Sequence, residues 1–437
     1  MTYQLILGDS EVKLKDLPDN SVDSIVTDPP YGLMLMGKKW DYNVPKIEIW
    51  RECLRVLKPG GHLLAFASTR TQHRMATTIE DAGFDIRDVL SWNYSSGMPK
   101  NHDISKAIDR EAGEEREVVG RYTCPEEKPE YTYGRNTGGT EFLSSKEKSN
   151  FGGLVTKPAT PEAEQWEGWG TALKPACEFI TLARKPLSEN TIAQNVMKWG
   201  TGGINIDGCR VETDEDLSNI KAFGSMPTSK VDGAGFSRPW MEDTQSVLDK
   251  QNKAIENMKS KGRYPANLIH DGSDEVLELF PYTKSGKQSA HHKQNVPTTK
   301  NVYGQYHTKS LASHADEGSA SRFFYCAKTS QSDRNEGLPE GMVNNHPCLK
   351  PNSLMRYLCK LVTPPNGTIL DPFMGSGSTG KAAVAEGFSF IGVELDTFYV
   401  DIARHRIEYA TKHIETPIKK PTKKSKPIIV DDGESLF

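Results

Sequence analysis

The residues Asp28-Pro29-Pro30-Tyr31 directly follow the apolar run Val22–Thr27, so a carboxylate, two rigid rings and a phenol sit at the end of what reads as a buried strand. That set suits chemistry on an amino group whose lone pair is delocalised into an aromatic ring. Such a nitrogen is a poor nucleophile until hydrogen-bond acceptors aim its lone pair at an electrophile. The carboxylate of Asp28 and a main-chain carbonyl, for which Pro29 is the candidate, can take its two N–H bonds. The prolines stiffen the turn and bring no competing donor. Tyr31 offers a ring on which an extruded base can stack, worth about 1–3 kcal/mol against an unstacking cost of a few kcal/mol. Read structurally, the same four residues are a strand-terminating turn.

A second cluster lies far along the chain. A strand at Thr368–Leu370 runs into Asp371-Pro372-Phe373-Met374-Gly375-Ser376-Gly377-Ser378-Thr379-Gly380, then a helix from Lys381 to Glu386, a turn at Gly387, a strand Phe388–Val393 and Glu394. Glycines let the backbone turn tightly and approach a ligand, and an acid ending the next strand can accept both ribose hydroxyls. An adenosine is held in this way. Residues 375–381, GSGSTGK, also match most of a phosphate-binding loop, but Ala382 stands where a magnesium-binding hydroxyl is needed and Asp-Pro-Phe replaces plain apolar strand.

The elements that must position these clusters alternate. Tyr3–Leu7 reads as a strand ending in Gly8-Asp9; Ile47–Leu57 has helical spacing and stops at Lys58-Pro59-Gly60-Gly61; His62–Phe66 reads as a strand, Met75–Ala82 as a helix and Ile86–Trp92 as a strand. The pattern predicts an α/β sheet. From about residue 94 it dissolves into a loop-rich insertion reaching about 176, before a β-like run at Glu178–Ala183. Residues 187–345 show little periodicity beyond a candidate helix at 247–258 and read as a separate recognition region. Residues 1–186 and 346–412 are then two halves of one catalytic domain, and 413–437 a basic tail expected to be disordered.

The chain has 437 residues, a net charge of −4, no long apolar run and no signal-peptide layout at its start, so a soluble cytoplasmic protein is expected, as a monomer or homodimer. Seven cysteines are scattered singly with no C-x-x-C pair; they are read as reduced, with no metal site implied. The overall charge speaks mildly against a polyanionic partner, but its distribution speaks for one. Residues 279–315 contain no carboxylate while holding Lys284, Lys287, Lys293, Lys300 and Lys309, a bias that suits phosphates or, more plainly, a solvated loop. The adjacent His291 and His292 lack the other ligands of a metal site.

Taken together, the two clusters resemble the amino-methylating DNA methyltransferases, whose signatures are an Asp-Pro-Pro-Tyr catalytic loop, matched by Asp28–Tyr31, and a Phe-x-Gly-x-Gly cofactor loop, matched by Phe373–Gly377. The order, catalytic half first, is similar to the permuted β class. His346-Pro347-Cys348-Leu349-Lys350-Pro351 resembles that family's His-Pro-x-x-Lys-Pro element, with Cys348 in place of the more usual Thr. The resemblance covers roughly residues 1–100, 170–186 and 346–410.

It implies a Rossmann-like, circularly permuted sheet with an inserted target recognition region, and S-adenosylmethionine as methyl donor. Asp371, Phe373, Gly375, Ser376, Gly377 and Glu394 would hold the donor, with Lys350 from the His-Pro element and Asp9 near its adenine. Asp28, Pro29, Pro30 and Tyr31 would be catalytic. The implied reaction is methylation of double-stranded DNA at adenine N6, with cytosine N4 as the alternative; Asp at the first position of the loop favours adenine. RNA, a glutamine amide, a non-catalytic DNA-binding role and nucleotide hydrolysis are the rival readings. The last residues, Asp431–Phe437, loosely resemble Leu-Phe-ending peptides that dock into sliding clamps, with Glu434 where Gln is usual.

Overall fold

All six residues of Val22–Thr27 are buried, as an unbroken apolar-compatible run requires when helices cover both faces of a strand. A computed structural model describes residues 2–34, 37, 39–97, 101–121, 154–212, 262–285, 316–327 and 331–413. Its strands are β1 (Tyr3–Leu7), β2 (Val22–Thr27), β3 (Leu57–Ser68), β4 (Asp85–Asn93), β5 (Val118–Arg121), β6 (Leu154–Thr156), β7 (Cys177–Arg184), β8 (Leu268–His270), β9 (Tyr282–Ser285), β10 (Asp316–Ser319), β11 (Tyr325–Cys326), β12 (Thr368–Asp371) and β13 (Ser389–Glu394).

Nine of them form one sheet in the order β1-β13-β12-β2-β3-β7-β4-β8-β11, with β7 antiparallel to both its neighbours and the other pairings parallel. The two C-terminal strands β13 and β12 are therefore inserted between the N-terminal strands β1 and β2. Ile6 faces Val393 and Ile25 faces Leu370 in register, so the sheet is Rossmann-like and circularly permuted.

Side chains alternate across it. Val26, Leu64, Phe66 and Ile369 pack on one face with Leu354, Leu358, Ala382 and Ile407 from the helices Asn352–Val362, Ser378–Ala385 and Thr397–Lys412. Ile25, Leu63, Ala65 and Leu370 pack on the other with Trp50, Cys53, Met75 and Ile79 from the helices Ile47–Val56 and Gln72–Asp81. The chain leaves β12 toward β13 and leaves β2 toward β3, in opposite directions. The gap between β12 and β2 is thus a topological switch point, where the carboxyl ends of a parallel sheet open a crevice.

Three sequence expectations differ from what is found. Lys58-Pro59-Gly60-Gly61 does not end a helix in a free turn but lies inside β3 as a bulge: the register with β2 jumps between Val22 and Ser24, and Pro59 O accepts bonds from Asn195 Nδ2 at 2.8 Å and Thr201 Oγ1 at 2.6 Å. The insertion after residue 94 is not simply loop. It holds a helix Ile104–Ala112 and the β5/β6 hairpin, organised by buried Asp109, which accepts from Arg116, Thr160 and Ala159. Ile104, Ala107, Ile108 and Ala112 give the helix an apolar spacing that the sequence reading passed over. Finally, β8 and β11, from within 187–345, extend the main sheet by three and two residues of pairing, respectively. The candidate helix at 247–258 lies outside the described residues.

Candidate functional site

Thr27 closes β2 and donates from Oγ1 to Asp371 Oδ1 at 2.6 Å, so the ends of the two strands flanking the switch point are tied by one hydrogen bond. The next residue, Asp28, accepts from the Tyr31 hydroxyl on Oδ1 and from Lys350 Nζ on Oδ2, both at 2.7 Å. Lys350 also stands 3.2 Å from Glu178 Oε2 on β7, and the Tyr31 hydroxyl 3.1 Å from the same oxygen. The Lys350 ammonium is 5.4 Å from the Tyr31 ring centroid and 4.9 Å from that of Phe66. Burial works against this ammonium, but the Asp28 and Glu178 carboxylates outweigh it and raise its pKa above the ordinary lysine value. Burial, reinforced by Asp28 and Glu178, likewise raises the Tyr31 phenol.

The backbone after Tyr31 is held by Asp41. This carboxylate is 2 % exposed and accepts from Tyr31 N at 2.7 Å and Gly32 N at 2.9 Å on Oδ1, and from Leu33 N at 3.2 Å on Oδ2. An Asp-Pro-Pro-Tyr turn exposes its following N–H groups to a cleft, where they must find acceptors. Asp41 supplies them.

On the other side of the cleft, Asp371 ends β12 and accepts from Thr27 and, at 3.0 Å, from Phe373 N. Its carboxyl is pushed up to about 6 by burial, which outweighs the hydrogen bonds from Thr27, Thr379 and Phe373. Gly375 and Gly377 both have positive φ, +51° and +80°, in the left-handed region. A Cβ at Gly375 would lie 2.8 Å from His346 Nε2, and one at Gly377 would lie 2.7 Å from Ala403 Cβ. Glu394, ending β13, accepts from Gly375 N on Oε2 and Asp396 N on Oε1, each at 2.8 Å; burial raises its pKa.

The loop is also gripped from outside. Asn344 Nδ2 donates to Ser376 Oγ at 3.1 Å, and the buried Arg406 donates from Nη1 to Ser376 O at 2.5 Å. His346 stacks edge-on against Tyr399, and burial lowers its pKa to about 4. Lys381, which completes the GSGSTGK string, is 3 % exposed and engages Glu336 and, at 3.7 Å, Asp333. A phosphate-binding lysine must reach into the loop, so this ion pair removes the nucleotide-hydrolase reading.

Asp28, Lys350, Asp371, Phe373, Gly375 and Ser376 line one cavity, so the two clusters meet although the sequence separates them. Asp9 is exposed at the mouth of the neighbouring strand, where its carboxylate caps the helix Ser10–Lys13 through Glu11 N at 2.8 Å, while Gly8 N bonds Glu394 O at 2.9 Å. Pro29 is buried and Pro30 partly so. Lys350 faces Asp28 and Glu178 from the cavity wall shared with the glycine loop. Lys284 lies on β9, in register with Glu317 of β10. Lys287, Lys293, Lys300 and Lys309, the paired His291 and His292, and the Asp431–Phe437 tail all lie outside the described residues.

Sequence reasoning passed over Glu178, Asp41 and Tyr94, whose hydroxyl stands 3.4 Å from Glu178 Oε1. The only available signal was an acid at the entrance of the β-like run at 178–183.

The profile of the N6/N4 methyltransferase family, described as DNA methylase, matches residues 22–405. A DNA adenine methyltransferase, YhdJ, from Escherichia coli (strain K12) is 34% identical over 80 residues, 18% of this chain and 27% of that protein. The type II methyltransferase M.HinfI from Haemophilus influenzae is 33% identical over 102 residues, 21% of this chain and 28% of that protein. The chain thus spans little more than a quarter of the length of these two relatives. Among solved structures, the PvuII DNA methyltransferase (cytosine-N4-specific) superposes with a TM-score of 0.39 at 12% identity, covering 95% of this chain and 93% of that one. With its profile matched across most of its length, the chain belongs to the N6/N4 DNA methylase family.

Proposed function

We propose that this protein is an S-adenosylmethionine-dependent, site-specific DNA methyltransferase that methylates N6 of adenine in double-stranded DNA. The observation that carries the reading is the shared cavity: Asp28 on one wall and the Phe373–Gly377 loop on the other, at the switch point of a permuted Rossmann-like sheet.

The donor fits the residues present. Gly375, with a left-handed backbone, lines the cavity, and Asp371 and Glu394 stand at the ends of adjacent strands β12 and β13. Asp371, Phe373, Ser376 and Lys350 would border its methionine part, Glu394 its ribose and Asp9 its adenine. When bound, it supplies a methyl group on a positively charged sulfur, already an electrophile.

The chain's own work is orientation. Each carboxylate oxygen of Asp28 takes one bond in the resting site, and a carboxylate has about four lone-pair positions, so room remains for an amino N–H of an extruded adenine. Pro29 O takes the second. Tyr31, its hydroxyl held by Asp28 and Glu178, provides the stacking ring. Fixing the nitrogen lone pair in line supplies acceleration that free reactants lack. Residues 187–345 would choose the site, with Lys284, Lys287, Lys293, Lys300 and Lys309 on phosphates. The Asp431–Phe437 tail would reach a sliding clamp; a pull-down unchanged by deleting it would dismiss that contact.

The decisive experiment incubates the protein with labelled donor and DNA, RNA or protein, followed by nucleoside mass spectrometry. N6-methyladenine in DNA is expected. Label in cytosine N4, RNA or protein would replace this reading.

A further inference from the structure

Glu178 belongs to neither loop, yet it reaches Lys350, Tyr31 and Tyr94 at the site. It enters from β7, and its Oε2 stands 3.2 Å from Lys350 Nζ and 3.1 Å from the Tyr31 hydroxyl, while Oε1 meets Tyr94. Glu178 and Asp28 are 17% and 16% exposed at the side chain and Lys350 6%, so their charges act on one another with little solvent screening.

The sum of those charges bears on the reaction. During transfer the amino nitrogen's lone pair forms the new N–C bond and the C–S pair stays on sulfur. Positive charge therefore moves onto nitrogen, until one N–H proton leaves past Asp28 to water. A site that assists this step must carry negative charge where the nitrogen sits. Asp28 with Lys350 alone is a neutral pair and offers none. A second carboxylate on the same ammonium leaves the trio with one net negative charge.

We propose that Glu178 is a positioning residue that balances Lys350, so that the cluster around this ammonium keeps a net negative charge and Asp28 is free to receive the target amino group. This rests on the methyl-transfer reading above. It also explains why Tyr31 and Lys350 each contact both carboxylates: the cation and the phenol can lean toward Glu178 when the base occupies Asp28.

The test is single-turnover methyl transfer at saturating donor by wild type, Glu178→Gln, Glu178→Asp and the double variant Glu178→Gln/Lys350→Gln. Donor and DNA affinities are titrated in parallel. Glu178→Gln keeps shape and loses charge, and should slow transfer about 100-fold while affinities stay within about threefold. Glu178→Asp, and the double variant that restores one net negative charge, should each recover at least about tenfold of that loss. A Glu178→Gln rate within about threefold of wild type, or an absence of recovery in both other variants, overturns the proposal. If Glu178→Gln does not fold, the double variant decides alone: a rate more than about 100-fold below wild type sinks the idea. Wild type inactive on DNA would instead sink the underlying function, independently of the variants.

Discussion

Lys350 Nζ lies 2.7 Å from Asp28 Oδ2, joining residues 322 positions apart in the chain. The contact is possible only because β12 inserts beside β2, so that the segment preceding the glycine loop folds over the end of an N-terminal strand. It places a buried cation against the carboxylate on which the proposed chemistry depends.

Removing that carboxylate separates catalysis from binding. Asp28→Ala should abolish methyl transfer while donor affinity persists, because the glycine loop has its own anchors in Asn344, Arg406 and Glu394. Stability should fall too. Losing one partner of a buried ion pair costs about 3–5 kcal/mol, and Glu178 retains part of the compensation, so a loss of about 1–3 kcal/mol is expected. Thermal melting, donor titration and labelled transfer check the three claims; a fully active Asp28→Ala protein would refute the catalytic assignment.

Asp41 offers a prediction about positioning alone. It is not one of the proposed acceptors but holds the N–H groups of Tyr31, Gly32 and Leu33. Asp41→Ala strands part-buried donors, at up to about 1–3 kcal/mol each if they stay dry, and slackens the turn. A displacement near 1 Å at a reacting centre costs about 100-fold in rate. Transfer should therefore fall by about that factor with little change in donor affinity, and Asp41→Asn, which keeps one acceptor oxygen, should recover part of it. Equal rates for Asp41→Ala and wild type would show that the turn holds itself.

How far the site could be read from sequence follows from chemistry of this kind. Asp28–Tyr31 and Phe373–Gly377 are contiguous, and each sits where an apolar strand ends, so both the residues and their supporting elements leave a local trace. Their permuted adjacency followed from the family resemblance. Asp41 and Glu178 left no such trace, because one acts on backbone ten residues away and the other across 172 positions, and a lone acid looks the same whether it serves solvent or a buried lysine. The polar centre at Asp109 went unread for the same reason: hydrogen bonds carry no periodicity. Two-residue β11 and three-residue β8 are too short to show alternation, which is why the region holding them looked separate from the sheet.

The pH dependence isolates Asp371. Its carboxyl titrates near 6 in the folded protein, above the ordinary 3.8. The folded state then binds this proton more readily than the unfolded chain, so its contribution to stability grows as pH falls from about 6 to 4 and is lost as pH rises through 6. His346 acts oppositely. Burial depresses it to about 4 from 6.5, so its contribution is present above 6.5 and lost as pH falls toward 4. Because the two oppose, the whole-protein curve conceals each. The difference between wild type and Asp371→Asn does not: the variant, which cannot ionise, should gain on wild type as pH is raised from 4 to 7. A difference independent of pH, measured by denaturant titration at several pH values, would show that the buried carboxyl keeps its ordinary affinity for protons.

Gly375 and Gly377 are two positions apart and both left-handed, yet their replacements should fail differently. Alanine pays about 1–2 kcal/mol for the left-handed backbone at either site. At Gly377 the new methyl would meet Ala403 at 2.7 Å from Cβ and 2.9 Å from Cα, part of a packed helix that cannot step aside, and overpacking adds about 1–3 kcal/mol. At Gly375 it would meet the His346 ring, 2.8 Å from Nε2, a side chain that can swing only by leaving Tyr399 and disturbing the cavity wall. Gly377→Ala should accordingly lower the melting temperature more, whereas Gly375→Ala should lose more donor affinity per unit of stability lost. Calorimetric titration of the two variants beside their melting curves decides it. The reverse ranking would mean that Gly375 serves the packing of the turn and Gly377 the approach of the ligand, opposite to the contacts that each glycine makes.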